Sequence, residues 1–376
     1  MRQVGGAQPL SPKTVERRMV MSAESSMNLK KVEELAFRVV GDMGGAFAMA
    51  LGYIGDRLGL FKAMAGAGPV TSVELAEKTA LNERYVREWL RAMVACEYID
   101  YDASSERYVM TAEQAFVLAN EDSPMFVGGA FHFTTPSIQN TPRVLDAFRK
   151  GGGISYSEIG DEIPWAIERF FRPGYVNFLV KDWLAAIPGL TQKLEKGATV
   201  GDVGCGRGQS TVTIAKAFPN SRVVGIDYHV PSIERARKLA AEQGAANVEF
   251  VAAAADKIPS DRKYDLICSF DCIHDMVDPM GTLKAIHQAL ALDGVYLWSE
   301  PNASDKAHEN RNPVGKTFHC ISPLHCMTVS LAHNGAGLGT VIGEAGARNL
   351  AKEAGFSSFE KLPIQNPFNQ FFALGR

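Results

Sequence analysis

The stretch Thr199-Val200-Gly201-Asp202-Val203-Gly204-Cys205-Gly206-Arg207-Gly208 decides how the chain is read. An apolar run leads into three glycines spaced by single residues, and a helical pattern follows over residues 209–217. Glycine permits positive φ and lets the backbone approach a ligand closely. The spacing differs from the G-x-G-x-x-G dinucleotide fingerprint, and no Gly-Lys-Ser/Thr follows, so this is no phosphate loop. Asp227 ends the next apolar run, 19 residues after Gly208. A carboxylate there can accept both hydroxyls of a ribose. Together these features predict a cofactor that contains a nucleoside.

C-terminal to this loop, strand-like and helical periodicities alternate. Strands are predicted over residues 198–203, 222–226, 248–251, 264–270 and 295–299, with helices over 209–217, 232–243 and 279–290. This alternation predicts an α/β domain with a largely parallel sheet. A helix over 345–354 and strands over 359–363 and 371–374 predict a closing antiparallel hairpin at the sheet edge. N-terminal to the loop the pattern is mainly helical. Residues 30–65 have helical spacing, with Gly41, Gly44 and Gly45 as interruptions that would let helices approach closely. Thr71 and Glu74 form a capping-box pattern. Helices over 73–78 and 83–96 and a hairpin over 98–110 complete a winged-helix pattern. The expected organisation is an extension (1–28), a helical winged domain (29–190) and a cofactor-binding domain (191–376).

Composition narrows the function. Lys+Arg 39 against Asp+Glu 42 gives 39 − 42 = −3, and hydrophobic residues make up 46%. A large core is available, and no basic surplus exists for nucleic acid or anionic lipid. The winged helix offers Arg84, Arg87 and Arg91, but Glu83 and Glu88 offset them. A scaffold or dimerisation role is expected, with a DNA-reading regulator as the rival. Six scattered cysteines suit a reducing compartment, so a cytoplasmic protein is expected. The first 28 residues are basic and Ser-containing and read as a floppy extension, with a transit peptide as the alternative. No uncharged apolar run reaches the roughly 18–20 residues of a membrane span; Gly44 to Ile54 stops at Asp56-Arg57. Neither nucleic acid nor membrane is an expected partner.

The glycine loop resembles the first motif of the class I S-adenosylmethionine (SAM) methyltransferases, D-x-G-x-G-x-G. Asp202, Gly204, Gly206 and Gly208 match it, and Asp227 matches the ribose acid. The usual adenine-contacting acid falls by spacing at Ala254, so Ala255 and Asp256 are the nearby candidates. A winged domain before such a core is similar to the dimeric small-molecule O-methyltransferases. Glu83 to Leu90, Cys272-Ile273-His274-Asp275-Met276 and Leu324-His325-Cys326-Met327 resemble a bacterial branch of them. That branch is related to the methylthiohydroxybutyrate S-methyltransferases of dimethylsulfoniopropionate biosynthesis. The resemblance implies a Rossmann-like seven-stranded sheet, SAM as cofactor, a homodimer and a small-molecule acceptor.

The strand over 264–270 ends in Ser269-Phe270-Asp271-Cys272-Ile273-His274-Asp275. Its C-terminal end should face the ligand crevice, with Ser269 and Phe270 near the cofactor. His274 falls where the resemblance puts a base, and Glu300 where it puts the acid that orients that base. A neutral imidazole can take a hydroxyl proton as the oxygen attacks a methyl carbon. The alternatives are a capping or pocket-lining His274, and a thioether acceptor that needs no base. Tyr156, Arg172, Trp183 and His325 are the candidate substrate contacts; an arginine fork at Arg172 would suit a carboxylate. His319-Cys320 and His325-Cys326 fit no common zinc spacing, so no metal is expected. The leading expectation is hydroxyl methylation. S-methylation of a small thioether acid and a ligand-sensing regulator are the alternatives.

Overall fold

The computed structural model describes residues 27–259 and 261–376. Nearly all of the expected N-terminal extension lies outside these residues. The chain divides into two compact units, one ending at Met49 and the other running from Ala50 to Arg376.

Helix α1 (Leu29–Arg57) is continuous. The expected interruptions at Gly41, Gly44 and Gly45 do not occur, and nothing lies within 4 Å of where their Cβ atoms would be. Two later glycines of α1 supply the close approach instead. A Cβ on Gly52 would lie 2.4 Å from Phe131, and one on Gly55 2.4 Å from Trp89. In the first unit Leu35, Phe37, Val40 and Phe47 are exposed. By length and composition α1 could cross a membrane.

Short helix α2 (Leu60–Met64) precedes α3 (Ser72–Thr79), whose N-cap Thr71 forms the expected capping box with Glu74. Helix α4 (Glu83–Ala95) is capped by the Asn82 side chain. It buries Val86, Trp89, Leu90 and Met93, the i, i+3, i+4, i+7 pattern of an amphipathic helix. Strands β1 (Asp100–Asp102) and β2 (Arg107–Val109) pair antiparallel as the wing. Helices α5 (Ala112–Leu118), α6 (Gly128–Gln139), α7 (Thr141–Lys150) and α8 (Glu162–Gly174) follow. Past α8, residues Tyr175–Leu184 wind as a π-helix, and α9 (Leu190–Lys196) leads into the sheet.

The βα units are β3 (Thr199–Val203), α10 (Gln209–Ala217), β4 (Arg222–Asp227), α11 (Val230–Glu242) and β5 (Val248–Ala252), continuing through β6 (Tyr264–Phe270), α12 (Pro279–Ala289) and β7 (Leu290–Pro301). Helices α13 (Pro313–Leu324), α14 (Cys326–Leu331) and α15 (Gly343–Ala354) precede β8 (Ser358–Lys361) and β9 (Asn369–Gly375). The seven strands lie in the order β5-β4-β3-β6-β7-β9-β8. The first five run parallel, and β9 runs antiparallel between β7 and β8. The expected closing hairpin is thus present, with its second strand inside. Buried aromatics such as Tyr264, Tyr296, Trp298, Phe371 and Phe372 fill the two faces. Burial of a side chain such as Phe371 contributes about 1.5–3 kcal/mol. The parallel strands point their C-terminal ends at one edge, which places Val203, Asp227, Phe270 and Pro301 together.

Candidate functional site

Glycines 204, 206 and 208 all adopt positive φ, at 72°, 52° and 85°. Their reasons differ. A Cβ on Gly204 would lie 2.6 Å from Cys272 Sγ, and one on Gly208 2.7 Å from Ala236. At Gly206 nothing lies within 4 Å, so its backbone faces open space. Asp202 does not face that space. It is buried under the loop and accepts from Ser210 Oγ at 2.7 Å and Thr211 Oγ1 at 2.6 Å, which pins the first turn of α10. Burial pushes its pKa up to about 6. Asp227 accepts from the Gly206 and His229 backbone N–H groups at 2.9 and 2.8 Å. One carboxylate therefore holds the loop while each oxygen keeps a second lone pair.

A cavity of about 70 Å³ lies against this loop. Gly204, Cys205, Gly206 and Arg207 line it with Phe270 from β6 and Tyr156, Ile167, Glu168, Phe171 and Tyr175 from the helical half. Arg207 Nε donates to Glu168 Oε2 at 2.5 Å, which ties the loop to α8. Cys205 is buried and packs with Val212, Ile233 and Phe250.

A second cavity, about 250 Å³, opens beside the first. Ile167 and Phe171 line both. The larger wall is mostly apolar, with Phe133, Phe170, Ile321 and Phe368 among its residues. Its polar groups are Asp271, His274, Asp275, His325, Cys326 and three threonines; among the described residues no Lys or Arg lines it.

His274 sits in a single 3₁₀ turn, Ile273–Asp275, just past β6. Its Nδ1 donates to Glu300 Oε2 at 2.5 Å. Glu300, near the end of β7, also accepts from Trp298 Nε1 at 2.8 Å. Nε2 lies 3.1 Å from Asp275 Oδ1. Burial alone would lower the His274 pKa, but the charges of Glu300 and Asp275 outweigh it and hold the pKa well above the ordinary histidine value. The pairing expected from sequence is therefore assembled, with Asp275 as a third member. His325 is buried against the same cavity, and its Nδ1 has no hydrogen-bond partner; burial lowers its pKa. Donor atoms of His274, Asp275 and Cys326 lie within 4.8 Å of one another. Burial pushes the Cys326 thiol up to about 11, so it stays protonated at neutral pH.

Other expected residues lie elsewhere. Arg172 points away from both cavities: it donates to the Glu121 carbonyl at 2.8 Å and to Asp122 Oδ1 at 3.0 Å. Its neighbour Arg169 holds Asp56 through both guanidinium nitrogens. Trp183 is a core residue packed on Phe371, ring centroids 4.7 Å apart, because the π-helical turn rotates it inward. Ser269 is fully buried and bonded to Tyr296 at 2.5 Å. Ala255 is half-buried behind β5, and Asp256 is exposed and paired with Lys257 at 2.8 Å. None of these five lines either cavity. Sequence reasoning missed Asp271, Glu168 and the aromatic wall of Phe133 and Phe368. Glu168 had a signal, an acid set among the aromatics of its helix.

Two family descriptions match the chain: "Methyltransferase domain" over residues 194–340 and "Rv2258c-like winged HTH domain" over residues 45–120. The ubiquinone biosynthesis O-methyltransferase of Leptothrix cholodnii is 30% identical over 146 residues, 38% of this chain and 60% of that protein. The mitomycin biosynthesis 6-O-methyltransferase of Streptomyces lavendulae is 28% identical over 188 residues, 48% of this chain and 52% of its own. The chain thus spans only about half the length of these curated relatives. Human N-acetylserotonin methyltransferase, solved with SAM, shares the fold at a TM-score of 0.66 and 17% identity, over 91% of this chain and 97% of that one.

Proposed function

We propose that this chain, a methyltransferase domain behind a winged HTH domain, transfers a methyl group from SAM to a hydroxyl of a small, uncharged acceptor. One observation carries the reading. The His274–Glu300 pair faces an apolar cavity that shares Ile167 and Phe171 with the cavity on the glycine loop. The loop fits the cofactor because Gly206 opens to free space and Asp227 retains acceptor capacity beside it. Gly204, Gly206, Asp227 and Phe270 would hold SAM, which when bound supplies an electrophilic methyl carbon on a sulfonium. Asp202 and Gly208 act by shaping the loop.

The chain's own residues do the rest. His274, as the neutral imidazole, accepts the acceptor's hydroxyl proton at Nε2 while Glu300 fixes the ring through Nδ1. Glu300 and Asp275 stabilise the imidazolium that forms. The aromatic wall excludes water, which strengthens those charges and keeps the oxygen nucleophilic. Tyr156 and His325 border the reacting groups. Among the described residues no Lys or Arg lines this wall to pair with a carboxylate, which weighs against the thioether acid. A DNA reader is weakened as well, because Arg84 pairs with Glu88 and Arg87 with Glu83.

The winged half (29–190) supplies α8 as the shared wall, and residues 191–376 supply the cofactor loop. A homodimer buries the apolar face of α1, and the six free thiols suit the cytoplasm. The test is transfer of labelled methyl from SAM to pools of hydroxyl, amine and thioether acceptors. Labelled aromatic or aliphatic ethers support the reading. A protein that fails to bind SAM in calorimetry refutes it.

A further inference from the structure

Asp271 follows the last residue of β6 and has a left-handed backbone, φ 51°. Such a conformation costs a non-glycine residue of order 1–3 kcal/mol and persists where surrounding structure enforces it. Here two contacts enforce it. Its backbone N–H donates to the Ser299 carbonyl at 3.0 Å, continuing the pairing of β6 with β7. Its side chain is held by Asn369 Nδ2, 2.7 and 2.6 Å from the two carboxyl oxygens. Asn369 opens β9, so strands on both sides fix this one carboxyl. The group is only half-buried by area because its free face looks into the larger cavity, which it lines with His274, Pro301 and Phe368.

The surroundings do not favour an anion. Among the described residues, no Lys or Arg pairs with Asp271. Burial and the nearby charges of Glu300 and Asp275 push its pKa up to about 8, and the positive His274 opposes that only in part. Tyr175 lies near it from the helical half, and burial pushes its phenol pKa well upward. Near neutral pH the protonated carboxyl is therefore the favoured form. Asn369 Nδ2 reaches both oxygens, and the one that carries the proton has only the apolar cavity to donate it into.

We propose that Asp271 is a specificity-determining residue: as a neutral acid it donates a hydrogen bond to a lone-pair oxygen, carbonyl or ether, next to the hydroxyl that faces His274. The acceptor class is then a neutral ring or enol bearing two adjacent oxygens, one methylated and one only recognised. This rests on the methyltransferase reading for the position of the reacting hydroxyl. A buried acid with no partner for its proton loses a hydrogen bond, so an acceptor lacking the second oxygen binds more weakly.

Guaiacol and phenol are suitable probes, since guaiacol adds one ether oxygen that can only accept. Their binding is measured by calorimetry with S-adenosylhomocysteine present, on the wild type, Asp271→Asn and Asp271→Leu. Guaiacol binds about tenfold tighter than phenol to the wild type at pH 6.5, and the advantage fades as pH rises through about 8. Asp271→Asn keeps it, because the amide still donates, and Asp271→Leu loses it. An advantage that survives in Asp271→Leu, or is absent in the wild type, overturns the proposal. Infrared spectroscopy supplies a readout that needs no acceptor. The wild type at pH 6.5 shows a protonated-carboxyl C=O band that Asp271→Asn lacks; no such difference refutes the neutral acid even if neither phenol binds. Failure of S-adenosylhomocysteine to bind would instead count against the methyltransferase reading and leave the infrared result to decide Asp271.

Discussion

Arg207, inside the glycine loop, donates to Glu168 on α8 at 2.5 Å, and both side chains line the cofactor cavity. The bridge joins two parts of the chain that are 39 residues apart. The cavity it borders measures about 70 Å³. That is well below the ~300 Å³ of an ordinary small-molecule site. Opening of this bridge would give a nucleoside-sized ligand room to enter. Glu168→Gln should speed SAM dissociation about tenfold, the effect of weakening one charge-assisted hydrogen bond. Stopped-flow displacement measures it. An unchanged dissociation rate would show that the bridge does not gate the ligand.

The His274 proton sets the pH profile. Its pKa is held above the ordinary histidine value by Glu300 and Asp275, which favours the protonated ring. Only the neutral form can act as base. The rate should rise as pH rises through that elevated pKa. Glu300→Gln removes one of the charges, so the rising limb should move to lower pH while the maximal rate falls. His274→Ala should lose about 10²–10⁴ in kcat at pH values above that pKa, where the wild-type ring is neutral. A flat kcat profile in His274→Ala with wild-type turnover would exclude the base.

Gly204 and Gly206 separate folding from binding. Alanine at 204 meets both a positive φ and Cys272 Sγ at 2.6 Å, so Gly204→Ala should destabilise the fold by about 2–3 kcal/mol. Alanine at 206 meets only the backbone penalty, about 1 kcal/mol. Its methyl nevertheless enters the space left for the cofactor. Gly206→Ala should stay folded in denaturant titrations and bind SAM at least tenfold more weakly. Equal losses of stability in the two variants would contradict this division.

Asp202 links stability to pH. Its folded pKa is raised to about 6 from 3.8 by burial. The proton it holds stabilises the fold fully below about pH 4, and that contribution is lost as pH rises through about 6. The swing is about 3 kcal/mol. Asp202→Asn cannot titrate, so its denaturation midpoint should change less than that of the wild type between pH 4 and 7. Parallel pH dependences would assign the titration to another group.

The exposed apolar side chains of α1 predict an oligomer. Leu35, Phe37, Val40 and Phe47 are exposed. Phe37→Glu with Val40→Glu should shift the protein from dimer to monomer in sedimentation velocity. A monomeric wild type that floats with liposomes would identify a membrane as the occupant instead.

The cofactor loop was legible because glycine spacing and a strand-end acid are local patterns. His274 and Glu300 were singled out through the family resemblance, and the structure pairs them at 2.5 Å. The wall of the acceptor cavity was not, because Phe133 and Phe368 are brought together from opposite ends of the chain. Arg172 and Trp183 were misassigned because an aromatic-rich segment looks alike whether it lines a cavity or packs a core. The π-helical turn that buries Trp183 leaves no mark in residue spacing. Asp271 was invisible because its meaning lies in a backbone angle and in Asn369, 98 residues away.

Ile167 and Phe171 face both cavities from one helix. A ligand that shifts these side chains on one side would alter the affinity on the other, and linkage would make the effect equal in both directions. Cofactor and acceptor cannot be treated as independent ligands. The affinity for either is defined only once the occupancy of the other is stated, and an inhibitor spanning both cavities would capture that coupling within a single molecule.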